Sequence, residues 1–214
     1  MKWLGRLSSD SSYKGDGSGT GVVAPEPQPS LALGTLFRQL RRDRKYHILE
    51  LGPAVGDNIN YLSRFSCRVR VEDLHCTLGS FDYLSQAGKV DYEAVFQYLL
   101  PYEKSTRFDI ILAWDLLNYL EFAEVQFLMR HLSRFCHQGT VLFAMISTVK
   151  NIPDKPGHYR IIDDSNVLYE SQSTVLRPCP RYHDVDLKQL MPTFRVYNSY
   201  LLRNGMKEYL LVGS

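Results

Sequence analysis

Glu50, Gly52 and Gly56 lie together in the stretch ILELGPAVGDNINYL, Ile48 to Leu62, where an apolar run meets an acid and breaks into small residues. Ile59 and Leu62 then resume at helical spacing. The glycines allow two readings. They supply positive φ in an ordinary strand-to-helix turn, or they let backbone N–H groups and a helix N-terminus approach a ligand. On the second reading Glu50, Gly52, Pro53, Ala54, Gly56, Asp57 and Asn58 form a ligand-binding loop. A further pair of acids, Glu72 and Asp73, closes CRVRVEDL, and a carboxylate there suits two vicinal hydroxyls because it accepts from both. Asp73 is preferred to Glu72; otherwise either acid is simply solvated at a strand end. A fourth acid, Asp115, ends the run FDIILAWD just after Ala113 and Trp114.

The elements that must position these residues alternate along the chain. LALGTLFRQL puts Leu33, Leu36, Phe37 and Leu40 on one helical face ahead of the strand HILEL. NINYLSRF reads as the next helix, CRVRVEDL as the second strand, and FDIILAW as a strand buried on both faces of a parallel sheet. The spacing of Phe122, Val125, Leu128, Met129, Leu132 and Phe135 marks a helix, with Gly139 as its expected C-cap. TVLFAMI is another buried strand, and two final strands meet across Asn204-Gly205, a hairpin signal. Between His75 and Lys104 only YEAVFQYLL looks regular, so a third strand is short, around Lys89 to Tyr92, or absent. The expected fold is a doubly wound α/β sheet, mostly parallel, with one antiparallel strand near its C-terminal edge. In such sheets ligands bind outside the carboxyl ends of the strands, where all four acids fall.

Composition bounds the rest. With 214 residues, 44% hydrophobic and 22% charged, the chain suits one globular domain over residues 31–214 behind a Ser-, Gly- and Pro-rich flexible tail over 1–30. The net charge of +2 gives no strong nucleic-acid signal, and RQLRRDRK, interrupted by Asp43, reads as a solvated helix end. No run is long enough for a membrane span, and the start lacks a signal-peptide core, so a cytoplasmic protein is expected. Cys67, Cys76, Cys136 and Cys179 form no metal-like pattern and read as reduced, mostly buried thiols. His75, beside Cys76, lacks a second ligand pair and reads as structural; no metal is expected. The segment 150–190, rich in Pro and Tyr and without helical periodicity, reads either as a lid or acceptor loop or as a surface excursion packed by Tyr159, Tyr169 and Tyr182.

LELGPAVGDN resembles the first motif of class I S-adenosylmethionine-dependent methyltransferases, E-x-G-x-x-x-G. FDIILAWDLLNYL is similar to their fourth-strand segment, LSRFCHQGTVLFAMI to their helix, turn and fifth strand, and the final hairpin to their reversed seventh strand. The likeness runs from about Leu33 to Val212, with Ala54 in place of the usual middle glycine. It implies a Rossmann-like sheet of strand order 3-2-1-4-5-7-6 and S-adenosyl-L-methionine as cofactor. Glu50, Gly52 and Gly56 would form its loop, Asp73 would bind the ribose, and Ala113, Trp114 and Asp115 would line the methyl-donor pocket. Asp91 stands in for the family's adenine-contacting acid. Methyl transfer is a direct displacement, and a base is needed only if the acceptor loses a proton. Asp115, His158 and His183 are the candidates.

The charges speak against a dinucleotide. Counted from Gly52, a G-x-G-x-x-G loop would place Ala54 and Asp57 at its second and third glycines, and Asp57 would repel a pyrophosphate. A positively charged sulfonium tolerates Glu50 and Asp57. The reading is a methyltransferase acting on an unidentified small-molecule or protein acceptor. The alternatives are a non-catalytic methyltransferase-like binding module and a nicotinamide-dependent oxidoreductase.

Overall fold

The computed structural model describes residues 26–78 and 90–214. The apolar runs Tyr46–Glu50, Cys67–Val71, Ile110–Trp114 and Val141–Ser147 form strands β2, β3, β4 and β5 of one sheet; β1 is the short strand Gln28–Pro29. The final strands Phe194–Leu201 and Met206–Gly213, β10 and β11, complete it in the order β3-β2-β4-β5-β11-β10. β2 pairs in parallel with β3 and β4, and β4 with β5; β11 runs antiparallel to β5 and to β10. This is the Rossmann-like arrangement expected, with one reversed strand near the C-terminal edge. The hairpin turns where the sequence marks it, with Gly205 at φ 80°.

Buried strand residues alternate between two packed faces. Ile111, Ala113, Leu142 and Ala144 face helices α3 (Tyr92–Leu99), α4 (Phe122–Ser133) and α5 (Asp184–Leu190). Ile110, Leu112, Trp114 and Phe143 face α1 (Leu31–Gln39) and α2 (Gly56–Leu62). Each fully buried Leu, Ile or Phe contributes about 1.5–3 kcal/mol, so this two-sided burial holds the strand ends in fixed register. α1 is anchored at its start: Ser30 Oγ donates to the fully buried Glu208 at 2.5 Å, and the Ala32 N–H donates to the same carboxylate at 3.0 Å. A carboxylate suits that position because the helix N-terminus carries unpaired N–H groups and partial positive charge.

Several expectations are corrected. No strand lies between β3 and β4 among the described residues; Tyr92 opens α3, and Asp91 caps that helix by accepting from the Glu93 and Ala94 N–H groups. Lys89 lies outside the described residues. Gly139, at φ 93°, does not cap α4, which ends at Ser133; it serves the later turn into β5 and donates its N–H to Gly213 O. The segment after β5 is not a plain loop. It folds into β6 (Asn151–Pro153), β7 (His158–Ile161), β8 (Asn166–Glu170) and β9 (Leu176–Pro178). These form a small β6-β9 sheet and a β1-β8-β7 sheet, the latter taking in Gln28 and Pro29 from the region read as tail. Residues 1–25 of that region lie outside the described residues. None of the four cysteines forms a disulfide, and only Cys179 is buried, with Cys76 exposed. Among the described residues no helix is long and apolar enough to cross a membrane.

Candidate functional site

The carboxyl ends of β2, β3 and β4 are tied together by main-chain bonds: Leu51 N–H to Leu112 O at 2.9 Å, Glu72 N–H to Glu50 O at 2.8 Å, and Leu74 N–H to Leu51 O at 3.2 Å. Glu50, Glu72, Asp73 and Asp115 are therefore brought to one rim by the sheet itself. Glu50 is buried, 3% exposed, and its Oε1 accepts from the Gly52 N–H at 2.9 Å and from the Trp114 indole N–H at 2.5 Å. Its Oε2 has no partner. Burial pushes this carboxyl up to about 8, the two donors pulling the other way.

Trp114 explains why Gly52 must be glycine. A register shift between Leu112 and Trp114 breaks the β4–β5 ladder, and Trp114 sits at φ 47°, a conformation that costs a residue with a side chain about 1–2 kcal/mol. The kink turns the indole onto Gly52, where an added Cβ would stand only 2.9 Å from Trp114 Cδ1. The ring is 2% exposed, meets Phe143 edge-on at 5.4 Å and stacks on Tyr159 at 5.4 Å with 6° between planes. Gly56 differs: nothing would meet a Cβ there.

Tyr159 comes from β7, and α2 grips that strand. The Asn58 amide donates to Tyr159 O at 2.8 Å and accepts from the Ile161 N–H at 2.7 Å. Arg160 reaches Asp57 at 3.3 Å and Glu170 at 3.0 Å. Gly157 lets the strand pass under Tyr169, whose ring would lie 2.2 Å from any Cβ. β7 is thus fastened to the helix that follows the glycine loop, and Asn58, expected to face a ligand, holds that strand instead.

Glu72 and Asp73 diverge. The Glu72 carboxylate accepts from Tyr102 at 2.6 Å, whereas Asp73 accepts from the Cys76 N–H at 3.0 Å and lines an open cavity of about 280 Å³ with Pro53, His75 and His158. His75, read from sequence as structural, belongs to this rim. Its side chain is 7% exposed, its Nε2 lies 3.6 Å from Asp115 Oδ1, and neither ring nitrogen has a hydrogen bond. Burial lowers it to about 4, with Asp73 opposing and His158 reinforcing the shift. Its signal in the sequence was position alone, two residues beyond Asp73.

Asp115 faces the other side. Burial raises its carboxyl to about 7, against the pull of its own backbone and of the Tyr159 hydroxyl, which donates to Oδ2 at 3.5 Å. Asp115 lines a second cavity, of about 250 Å³, with Tyr119, Met145, Tyr159, Tyr169 and Met206. Ala113 is buried in the sheet, and Ala54 is exposed at the loop's crest. His158 borders the first cavity, but His183 is exposed at the start of α5, where it shares a capping box with Asp186, and it lines neither cavity. Among the described residues no group of three His, Cys, Asp or Glu could hold a metal.

Asp73, bordering an open cavity, fits a cationic nucleoside in charge; Glu50, whose Oε2 has no partner, holds its proton at neutral pH and would fit one only on releasing it. The site does not fit the amino-acid limb in space while the indole lies on Gly52.

The fold has known counterparts. The PH0226 protein of Pyrococcus horikoshii superposes with a TM-score of 0.52 at 12% identity, covering 84% of this chain and 86% of its own. A S-adenosylmethionine-dependent methyltransferase from Clostridium acetobutylicum gives 0.46 at 14% identity, covering 84% and 87%. A Burkholderia thailandensis 1,6-didemethyltoxoflavin-N1-methyltransferase, bound to its substrate and S-adenosylhomocysteine, gives 0.47 at 11%, covering 85% and 76%. At these identities the first likeness establishes the fold alone, and the other two carry no argument. No family profile and no curated protein matches the sequence.

Proposed function

We propose that this chain is an S-adenosylmethionine-dependent methyltransferase for a small acceptor. One observation carries the reading: the β2, β3 and β4 ends gather Glu50, Asp73 and Asp115 between two cavities, of about 280 Å³ and 250 Å³, on either side of one rim. Asp73 and Pro53 would hold the nucleoside, and Glu50, which holds its proton at neutral pH, would give it up and accept from the cofactor's ammonium through Oε2. The cofactor, when bound, supplies an electrophilic methyl group on a sulfonium. The chain's own contribution is alignment and exclusion of water, with a covalent nucleophile unnecessary. Asp115, close to 7, is suited to take a proton from an acceptor at neutral pH.

The acceptor cavity favours a small molecule without an anionic group. Among the described residues Asp115 is the one acidic or basic side chain lining it, and a cavity of roughly 150 Å³ already holds a benzene ring. Titration calorimetry with S-adenosylhomocysteine tests the reading. Binding is expected, with Asp73→Asn weakening it roughly tenfold, the cost of one charge-assisted hydrogen bond. Absence of binding at millimolar ligand to wild type and to Trp114→Ala alike would remove the proposal.

A further inference from the structure

Trp114 does two things that a core tryptophan has no need to do. It adopts a left-handed backbone conformation at the end of a buried strand, and it gives its N–H to a buried carboxylate whose other oxygen has no donor. Its ring lies on the one glycine of the loop whose missing Cβ makes room for something. The Glu50 carboxyl, held by the indole and Gly52 N–H groups through one oxygen and by no protein group through the other, is a place prepared for a polar ligand group. The protein's own ring covers it.

We infer that Trp114, backed by Tyr159, is the specificity gate of the nucleoside crevice, and that the closed site admits nucleosides lacking an amino-acid limb while excluding those that carry one. This rests on the reading of the crevice as an S-adenosylmethionine site. The two ends of the crevice differ in access. The Pro53–Asp73–His75 end is an open cavity, so a nucleoside can seat without displacing protein. The Glu50–Gly52 end is filled by a ring that is 2% exposed. Admitting a 5′-substituent of amino-acid size requires the indole to leave Glu50. The ligand's ammonium then replaces it as donor and also serves Oε2.

Opening is coupled to the lid. Tyr159 stacks on the indole, and its strand is held by both ends of the Asn58 amide and by Arg160 on Asp57. The ring cannot swing out under that strand without breaking the stack. Apparent affinity for the full cofactor product is therefore reduced by the fraction of molecules that are closed. Affinity for the nucleoside fragment is not.

Calorimetry with two probes, 5′-methylthioadenosine and S-adenosylhomocysteine, tests this on the full-length protein. Trp114→Ala is expected to tighten S-adenosylhomocysteine at least tenfold while leaving 5′-methylthioadenosine within about twofold, as for an open fraction of roughly one in ten. Tyr159→Ala should move S-adenosylhomocysteine in the same direction. Equal tightening of both probes, or no change for S-adenosylhomocysteine, overturns the gate even though the crevice still binds. Failure of both probes in wild type and variants overturns the crevice reading itself.

A second measurement needs no change at the gate. The chain has only two tryptophans, Trp3 and Trp114, so Trp3→Phe leaves Trp114 as sole reporter. Its emission should move to longer wavelength on saturation with S-adenosylhomocysteine and stay in place with 5′-methylthioadenosine. An unmoved spectrum at saturation with S-adenosylhomocysteine contradicts displacement of the indole.

Discussion

Gly52→Leu is expected to abolish S-adenosylhomocysteine binding, raising the dissociation constant at least a hundredfold, or roughly 3 kcal/mol. A Cβ at this position would stand 2.9 Å from Trp114 Cδ1 and 3.1 Å from Glu50 Oε1, and the remaining leucine carbons add to that overlap. The branched side chain would therefore displace the indole and occupy the place of the ligand's limb at once. Overpacking of this kind also costs about 1–3 kcal/mol of stability, so the thermal midpoint should fall by several degrees. Gly56→Ala is the matched control. Its Cβ meets nothing, so folding should be nearly unaffected. An unchanged affinity in a folded Gly52→Leu protein would mean that the ligand does not approach this glycine.

The protein is expected to lose stability as pH rises from about 6.5 to 8. Glu50 titrates near 8 in the folded chain against an ordinary value of 4.5, and Asp115 near 7 against 3.8, in both cases chiefly through burial. A carboxyl raised in this way holds its proton in the folded state when the unfolded chain has released it. Its stabilising contribution is complete below the unfolded value and is lost as pH climbs through the folded one. His75 acts oppositely: with a folded value near 4 against 6.5, it adds stability between those limits as pH rises and nothing further above them. Above 6.5 only the carboxyls remain, and each contributes up to about 1.4 kcal/mol per pH unit. The loss should reach about 2 kcal/mol, a drop of roughly 4–8 °C in thermal midpoint for a chain of this size. Glu50→Gln keeps an acceptor for Gly52 and Trp114 but cannot titrate. It should flatten most of that slope, and a slope equal to wild type would show that Glu50 is not the group responsible.

The strand ends could be read because two signals coincide there. Ile110–Trp114 is an apolar run of strand length that stops at Asp115, and Ile48–Leu51 is apolar but for Glu50 and stops at Gly52. The reversed strand was equally visible, because Asn204-Gly205 forces a tight turn. The small sheets after β5 were not. Their strands are short, and one pairing joins residues far apart in sequence, β1 with β8 at Gln28 and Val167. Trp114 reads as the last apolar residue of a buried strand. Its positive φ and its turn onto Gly52 depend on the β4–β5 register shift, which no local pattern encodes. Asn58 and His183 share one reason for their different fates. A polar side chain beside a helix start serves as readily to hold the backbone as to hold a ligand, and here Asn58 takes β7 and His183 the first turn of α5.

A crystal of the full-length chain soaked with sinefungin, an amine-bearing nucleoside that cannot donate a methyl group, tests the central claim most directly. The expected density runs from the Asp73 rim to Glu50, with the ligand's nitrogen on the Glu50 carboxylate and the Trp114 ring moved off Gly52. Density confined to solvent, with the indole still packed on Gly52 at saturating ligand, would contradict it.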